Sequence, residues 1–134
     1  MKKLVAGDEC IPFILERFPG FQSGWTAHLE YWEGEAAGLC NDMGAFTHYV
    51  CELLAAREPP SAELRAIFEM IEDLMVRGDE EVKDAVATCF LENLQNSESA
   101  GRIKAESFVP LLGKESRAYC RAWDAFTGTK TPGL

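Results

Sequence analysis

The sequence predicts an all-α fold, and three observations carry that prediction. Apolar residues recur three and four positions apart through most of the 134 residues. No alternating apolar/polar run bounded by turn residues reads as a strand. Turn and capping residues such as Pro19–Gly20, Pro59–Pro60–Ser61 and Gly78–Asp79 also separate the periodic stretches. With 47% hydrophobic residues the chain can bury one real core. The expected architecture is a single domain over residues 1–127, with six or seven helices paired as antiparallel hairpins in an irregular stack or orthogonal bundle, and a frayed tail at 128–134.

The elements follow in order. Ile11, Ile14, Leu15 and Phe18 define a first short helix, with Pro12 in its first turn, stopped by Pro19 and Gly20. Phe21, Trp25, Leu29 and Trp32 define a second, broken near Gly34. Leu39, Met43, Phe46, Val50, Leu53 and Leu54 predict a long helix from Glu35 to Arg57, weakened by Gly38 and Gly44, glycines of a kind that often lets another helix approach closely. Pro59 and Pro60 end it, and Ser61 caps a helix from Ala62 to Arg77 whose stripe is Leu64, Ile67, Phe68, Ile71, Leu74 and Met75. Gly78 closes that helix and Asp79 opens the next, so the two form a hairpin. Ile103 to Leu112 and Ser116 to Phe126 complete the set, the latter with Tyr119, Cys120, Trp123 and Phe126 on one face.

The helix in GDEEVKDAVATCFLENLQN, residues 78–96, raises a difficulty. At about 100° per residue, Val82, Ala85, Val86, Cys89 and Phe90 share one side, with Leu94 at its edge. Leu91 then falls about 180° from Val82, among Glu80, Glu81, Asp84 and Glu92, while Asn93 falls near the middle of the apolar side. Leu91 is covered by a neighbouring helix or offered to a partner, and Asn93 needs hydrogen-bond partners if buried.

Charge narrows the partners. The net charge of −9 disfavours nucleic acid and anionic membranes. Residues 1–100 carry net −12 and residues 101–134 net +3, so a basic partner is the electrostatic complement. Leu4 to Ala6 is too short for a leader core and no run reaches a membrane span, which points to the cytoplasm. The five cysteines, Cys10, Cys40, Cys51, Cys89 and Cys120, lack any CxxC pair and read as free thiols of a reducing compartment.

The residues suggest no catalytic centre and no cofactor. His48 has Cys51 and Glu52 at helical ligand spacing, but a structural histidine accounts for that pattern more simply. No cysteine is framed by a nucleophile elbow, and paired acids such as Glu69 with Asp73, or Glu80 with Asp84, read as solvated faces. Trp25, Tyr31 and Trp32 in WTAHLEYW could line a pocket, though aromatics at this spacing usually belong to a core. Lys114, Arg117 and Arg121 read as helix-dipole or ion-pair residues.

The hairpin Ser61 to Gln95, most clearly DEEVKDAVATCFLENL, resembles one unit of a HEAT or armadillo-like repeat, with no second copy in the chain. As a small acidic helical chain with no active-site motif it is also similar to bacterial immunity proteins that block toxins by direct binding. These resemblances imply a HEAT-like stack and a non-enzymatic inhibitor that neutralises a basic toxin domain. The expected partner surface is Glu69, Glu72, Asp73, Glu80, Glu81, Asp84 and Leu91. The alternative is a helical-repeat-like adaptor or scaffold that binds a peptide or a second copy of itself.

Overall fold

A computed structural model of the protein describes residues 3–56 and 61–134. The described residues form seven α-helices: α1 (Gly7–Arg17), α2 (Gln22–Tyr31), α3 (Leu39–Ala55), α4 (Ala62–Arg77), α5 (residues 80–99), α6 (Ala105–Phe108) and α7 (Lys114–Thr127). Short 3-10 turns precede α2 at Pro19–Phe21 and follow α6 at Val109–Leu111. No strand occurs among the described residues, and the fold class is all-α as the periodicity requires.

The α4–α5 hairpin forms because its local signals agree. The Ser61 hydroxyl accepts from the Leu64 amide at 3.2 Å, and the Asp79 carboxylate accepts from the Val82 amide at 2.9 Å, each satisfying an orphan donor of the first turn. Gly78 is needed between the two helices because a Cβ there would lie 2.6 Å from both the Leu74 carbonyl and Val82 Cγ1. The N-terminal segment clips this turn. Val5 donates to the Arg77 carbonyl at 2.8 Å and accepts from the Asp79 amide at 2.9 Å, and the Gly7 amide reaches the Asp79 carboxylate at 3.0 Å.

Helix α5 is the axis of the molecule, packed by α1, α3, α4 and α7. It runs as an α-helix over Glu80–Val86, widens to a π-turn over Ala87–Leu91 and resumes as an α-helix over Glu92–Ser99. The widened turn is closed by the Glu92 amide bonding back to the Ala87 carbonyl, five residues earlier. One extra residue in a turn rotates everything after it by about 100° relative to an unbroken helix. Leu91 therefore moves to about 80° from Val82 and Leu94 to about 20°, while Asn93 leaves the apolar centre. Leu91 and Leu94 are fully buried, and Asn93 is half-buried with its amide donating to the Cys89 carbonyl at 2.8 Å. Of the two alternatives for Leu91 the covered one holds: it is a core residue, and its place in the expected partner surface is corrected.

Aromatic contacts carry the core outward from this axis. Phe90 of α5 stacks on Phe46 of α3 at 6.0 Å and meets Phe68 of α4 edge-on at 5.7 Å. Phe46 in turn takes the edge of Phe21 at 5.2 Å, which ties in the segment leading to α2.

Several further expectations change. The third helix starts at Leu39, because Glu33, Gly34 and Gly38 adopt φ of 52°, 80° and 90° and interrupt any helix from Glu35. Its predicted end at Arg57, Pro59 and Pro60 lies outside the described residues. A Cβ on Gly44 would meet nothing within 4 Å, so this glycine faces open space and not a close-packed helix. Pro12 sits in the second turn of α1, where it has no N–H to offer the Asp8 carbonyl. On α7, Ser116 and Cys120 are buried, whereas Trp123 and Phe126 stack on each other at 5.9 Å with Phe126 exposed.

The tail expected to fray is anchored. Thr131 is buried, its amide donates to the Asp124 carboxylate at 2.7 Å, and its hydroxyl accepts from the Gln95 amide at 3.2 Å. Cys40 and Cys89 are joined as a disulfide. This corrects the reading of five free thiols; Cys10, Cys51 and Cys120 remain free.

Candidate functional site

The acidic residues of the hairpin separate into structural and free groups. Glu72 caps α7: its carboxylate accepts from the Glu115 amide at 2.7 Å, and from the amide and hydroxyl of Ser116, each at 2.9 Å. Asp73 pairs with Arg77 at 2.6 Å. Glu69 is exposed beside a shallow groove that it shares with Arg17, Phe18 and Asp73, about two turns along α4 from the hairpin turn. Glu80, Glu81 and Asp84 are exposed on the first turns of α5. Of the seven predicted residues, Glu72 and Asp73 are engaged within the fold and Leu91 is buried, which leaves Glu69, Glu80, Glu81 and Asp84 exposed.

The structure gathers a different acidic site. An open cleft of about 390 Å³ lies between α1, α2, α3 and the start of α5. Its apolar walls are Ile11, Pro12 and Leu15 of α1, Trp25 of α2 and Leu39 of α3. Its acids are Asp8, Asp42 and Glu81, one from each of α1, α3 and α5. The Glu81 carboxylate lies against Gly7 at the edge of this cleft.

Trp25 is held in place by its neighbours. His28 packs on Trp25 at 5.4 Å and meets Trp32 edge-on at 6.3 Å, and its Nε2 contacts Asp42 Oδ1 at 2.8 Å. The imidazole and the Asp42 carboxylate are 12% and 21% exposed, so this pair is largely shielded from water and fixes α2 against α3. No residue of α2 is fully buried, and its outer side presents Leu29 and Tyr31, the latter 81% exposed. Of WTAHLEYW, then, Trp25 lines an open cleft and Tyr31 faces solvent.

A second recess, about 430 Å³, runs between α3 and the second half of α5. His48, Cys51 and Glu52 line one side, Asn93, Asn96 and Ser97 the other, with Arg102 at one end. His48 and Glu52 pair at 2.8 Å on the exposed rim. Burial pushes the Cys51 thiol up, against the opposing effects of Ser97 and Arg102. Among the described residues no group of three or more His, Cys, Asp or Glu could hold a metal ion. Of the basic trio, Arg117 is engaged with the Val109 carbonyl at 2.8 Å, a structural role.

Of the expected partner surface, only Glu81 lines this cleft. Asp8, Asp42 and Glu81 are far apart in sequence, and only the packing of three helices brings them to one cleft. Among the described residues, no helix is long and apolar enough to cross a membrane. No curated protein and no solved structure matches the chain. A sequence family described as a domain of unknown function (DUF7674) does match, over residues 11–128, and the chain belongs to that family.

Proposed function

We propose that the protein is a non-enzymatic binding protein that takes a basic protein partner at the cleft between α1, α2, α3 and α5. One observation carries this reading: an apolar floor with a braced tryptophan is edged by three carboxylates from three different helices. A lysine or arginine side chain suits such a place, its aliphatic stem against Ile11, Leu15 and Trp25 and its charge beside the exposed Asp8 and Glu81. Glu80 and Asp84, exposed nearby on α5, extend the negative field and speed the encounter. In its most specific form the reading is an immunity-type inhibitor, in which the basic partner is a toxin domain whose working surface is masked.

The test is a nuclear magnetic resonance titration with a synthetic lysine- and arginine-rich peptide, at low and at physiological salt. The expected result is shift changes centred on Trp25 and Glu81 that weaken as salt rises, with binding lost in the Asp8→Lys, Glu81→Lys double variant. Charge reversal at Glu80 and Asp84 should slow association with a smaller effect on dissociation. Binding that ignores salt and all four substitutions would rule the cleft out.

A second reading, an adaptor that holds a peptide or a second copy of itself, is favoured by a separate observation. Leu29 and Tyr31 are exposed on a helix with no fully buried residue. Size-exclusion at increasing concentration tests self-association: a dimer abolished by Tyr31→Ser supports it, and a monomer at every concentration removes it.

A further inference from the structure

Two independent features meet at Cys89. It sits inside the π-turn of α5, and it is joined to Cys40 in the first turn of α3, 49 residues away. The two sulfurs differ in access, since Cys40 is exposed and Cys89 is 7% exposed. An attacking thiol from solution can therefore reach one sulfur of the bridge and not the other.

The backbone of Cys89 is tied to the recess between α3 and α5. Its carbonyl accepts from the Thr47 hydroxyl at 2.7 Å and from the Asn93 amide at 2.8 Å, and both donors line that recess. A widened turn leaves carbonyls poorly served by the helix itself, and these two side chains take up that role. Movement of Cys89 thus reaches the walls of the recess through two hydrogen bonds.

We propose that Cys40 and Cys89 are a reversible thiol–disulfide couple, exchanged at the exposed Cys40 sulfur with low-molecular-weight thiols of the glutathione class, and that its state adjusts the recess between α3 and α5. In reduction, a glutathione thiolate attacks Cys40 Sγ, the Cys40–Cys89 bond breaks, and Cys89 leaves as a thiolate that takes a proton. A second glutathione attacks the mixed disulfide, releasing oxidised glutathione and the Cys40 thiol. Two electrons pass from two glutathiones to the protein disulfide, and oxidation retraces the same steps. The other thiols stand apart from this exchange. Burial pushes those of Cys10 and Cys120 up to about 12, which keeps them protonated and unreactive.

The experiment equilibrates the folded protein with defined mixtures of reduced and oxidised glutathione, quenches with acid and reads intact mass after alkylation. The expected result is a single disulfide whose population follows the glutathione ratio, mapped to Cys40 and Cys89. In Cys89→Ser, Cys40 should carry one glutathione; in Cys40→Ser, Cys89 should alkylate at least roughly tenfold more slowly than Cys40 does in the first variant. Amide resonances of Thr47 and Asn93 should move between the two wild-type states. A bridge that resists glutathione until the protein is unfolded, or a folded protein that never forms it, overturns the exchange. Thr47 and Asn93 resonances that stay fixed while the disulfide forms and breaks overturn the link to the recess.

Discussion

The two helices of the central hairpin obey the same amphipathic logic and yield to it differently. In α4 a period of 3.6 places Leu64, Ile67, Phe68, Ile71 and Leu74 of the predicted stripe in the core, with Met75 partly buried at its edge and Met70 added to it. In α5 the same arithmetic succeeds as far as Phe90 and then fails, because the π-turn at Ala87–Leu91 resets the helix face. The difference is one of setting. Helix α4 presents one face to the core, whereas α5 is enclosed on several flanks, and the inserted residue turns its second half toward α7. An amphipathic stripe that fails partway can thus mark a central helix instead of a binding surface.

The sharpest way to break this comparison is to remove the inserted residue. Deleting Thr88, which is exposed, should restore a regular period, turn Leu91 outward and Asn93 inward, and abolish cooperative unfolding as followed by circular dichroism. A matched deletion at an exposed position near the end of α5, Ser99, should be tolerated far better. Next in size, Leu91→Ala should cost about 2–5 kcal/mol in denaturant unfolding, as expected for a buried leucine and not for one among solvated acids.

Smaller effects separate the structural acids from the free ones. Glu72→Ala removes the cap of α7 and leaves its first-turn donors without that partner, so a loss of about 1–3 kcal/mol is expected. Charge reversal at the exposed Glu80 and Asp84 should change stability by no more than about 0.5 kcal/mol while reducing the association rate with a basic peptide. If Glu72 and Glu80 proved equally dispensable, the division between them would collapse.

What could be read from the sequence was what is decided locally. Ser61, Asp79 and Gly78 act through neighbours within a few residues, so the hairpin and its caps were legible. The π-turn was not, because no residue type demands it; it is imposed by enclosure on several sides. The bridge between Cys40 and Cys89 and the burial of Thr131 beneath Gln95 depend on chain segments that only the completed fold brings together. The acidic cleft shares that origin. Its negative charge was evident in composition, but Asp8 and Asp42 acquire their roles only when α1 and α3 close on Glu81.

The central claim is that the second half of α5 is turned inward, which takes Leu91 out of any partner surface. It can be tested without a substitution, by measuring how a soluble paramagnetic agent attenuates the leucine methyl resonances. Leu91 methyls should be as protected as those of Leu94, with Leu29 methyls strongly attenuated. Leu91 methyls attenuated to the same extent as those of Leu29 would contradict it.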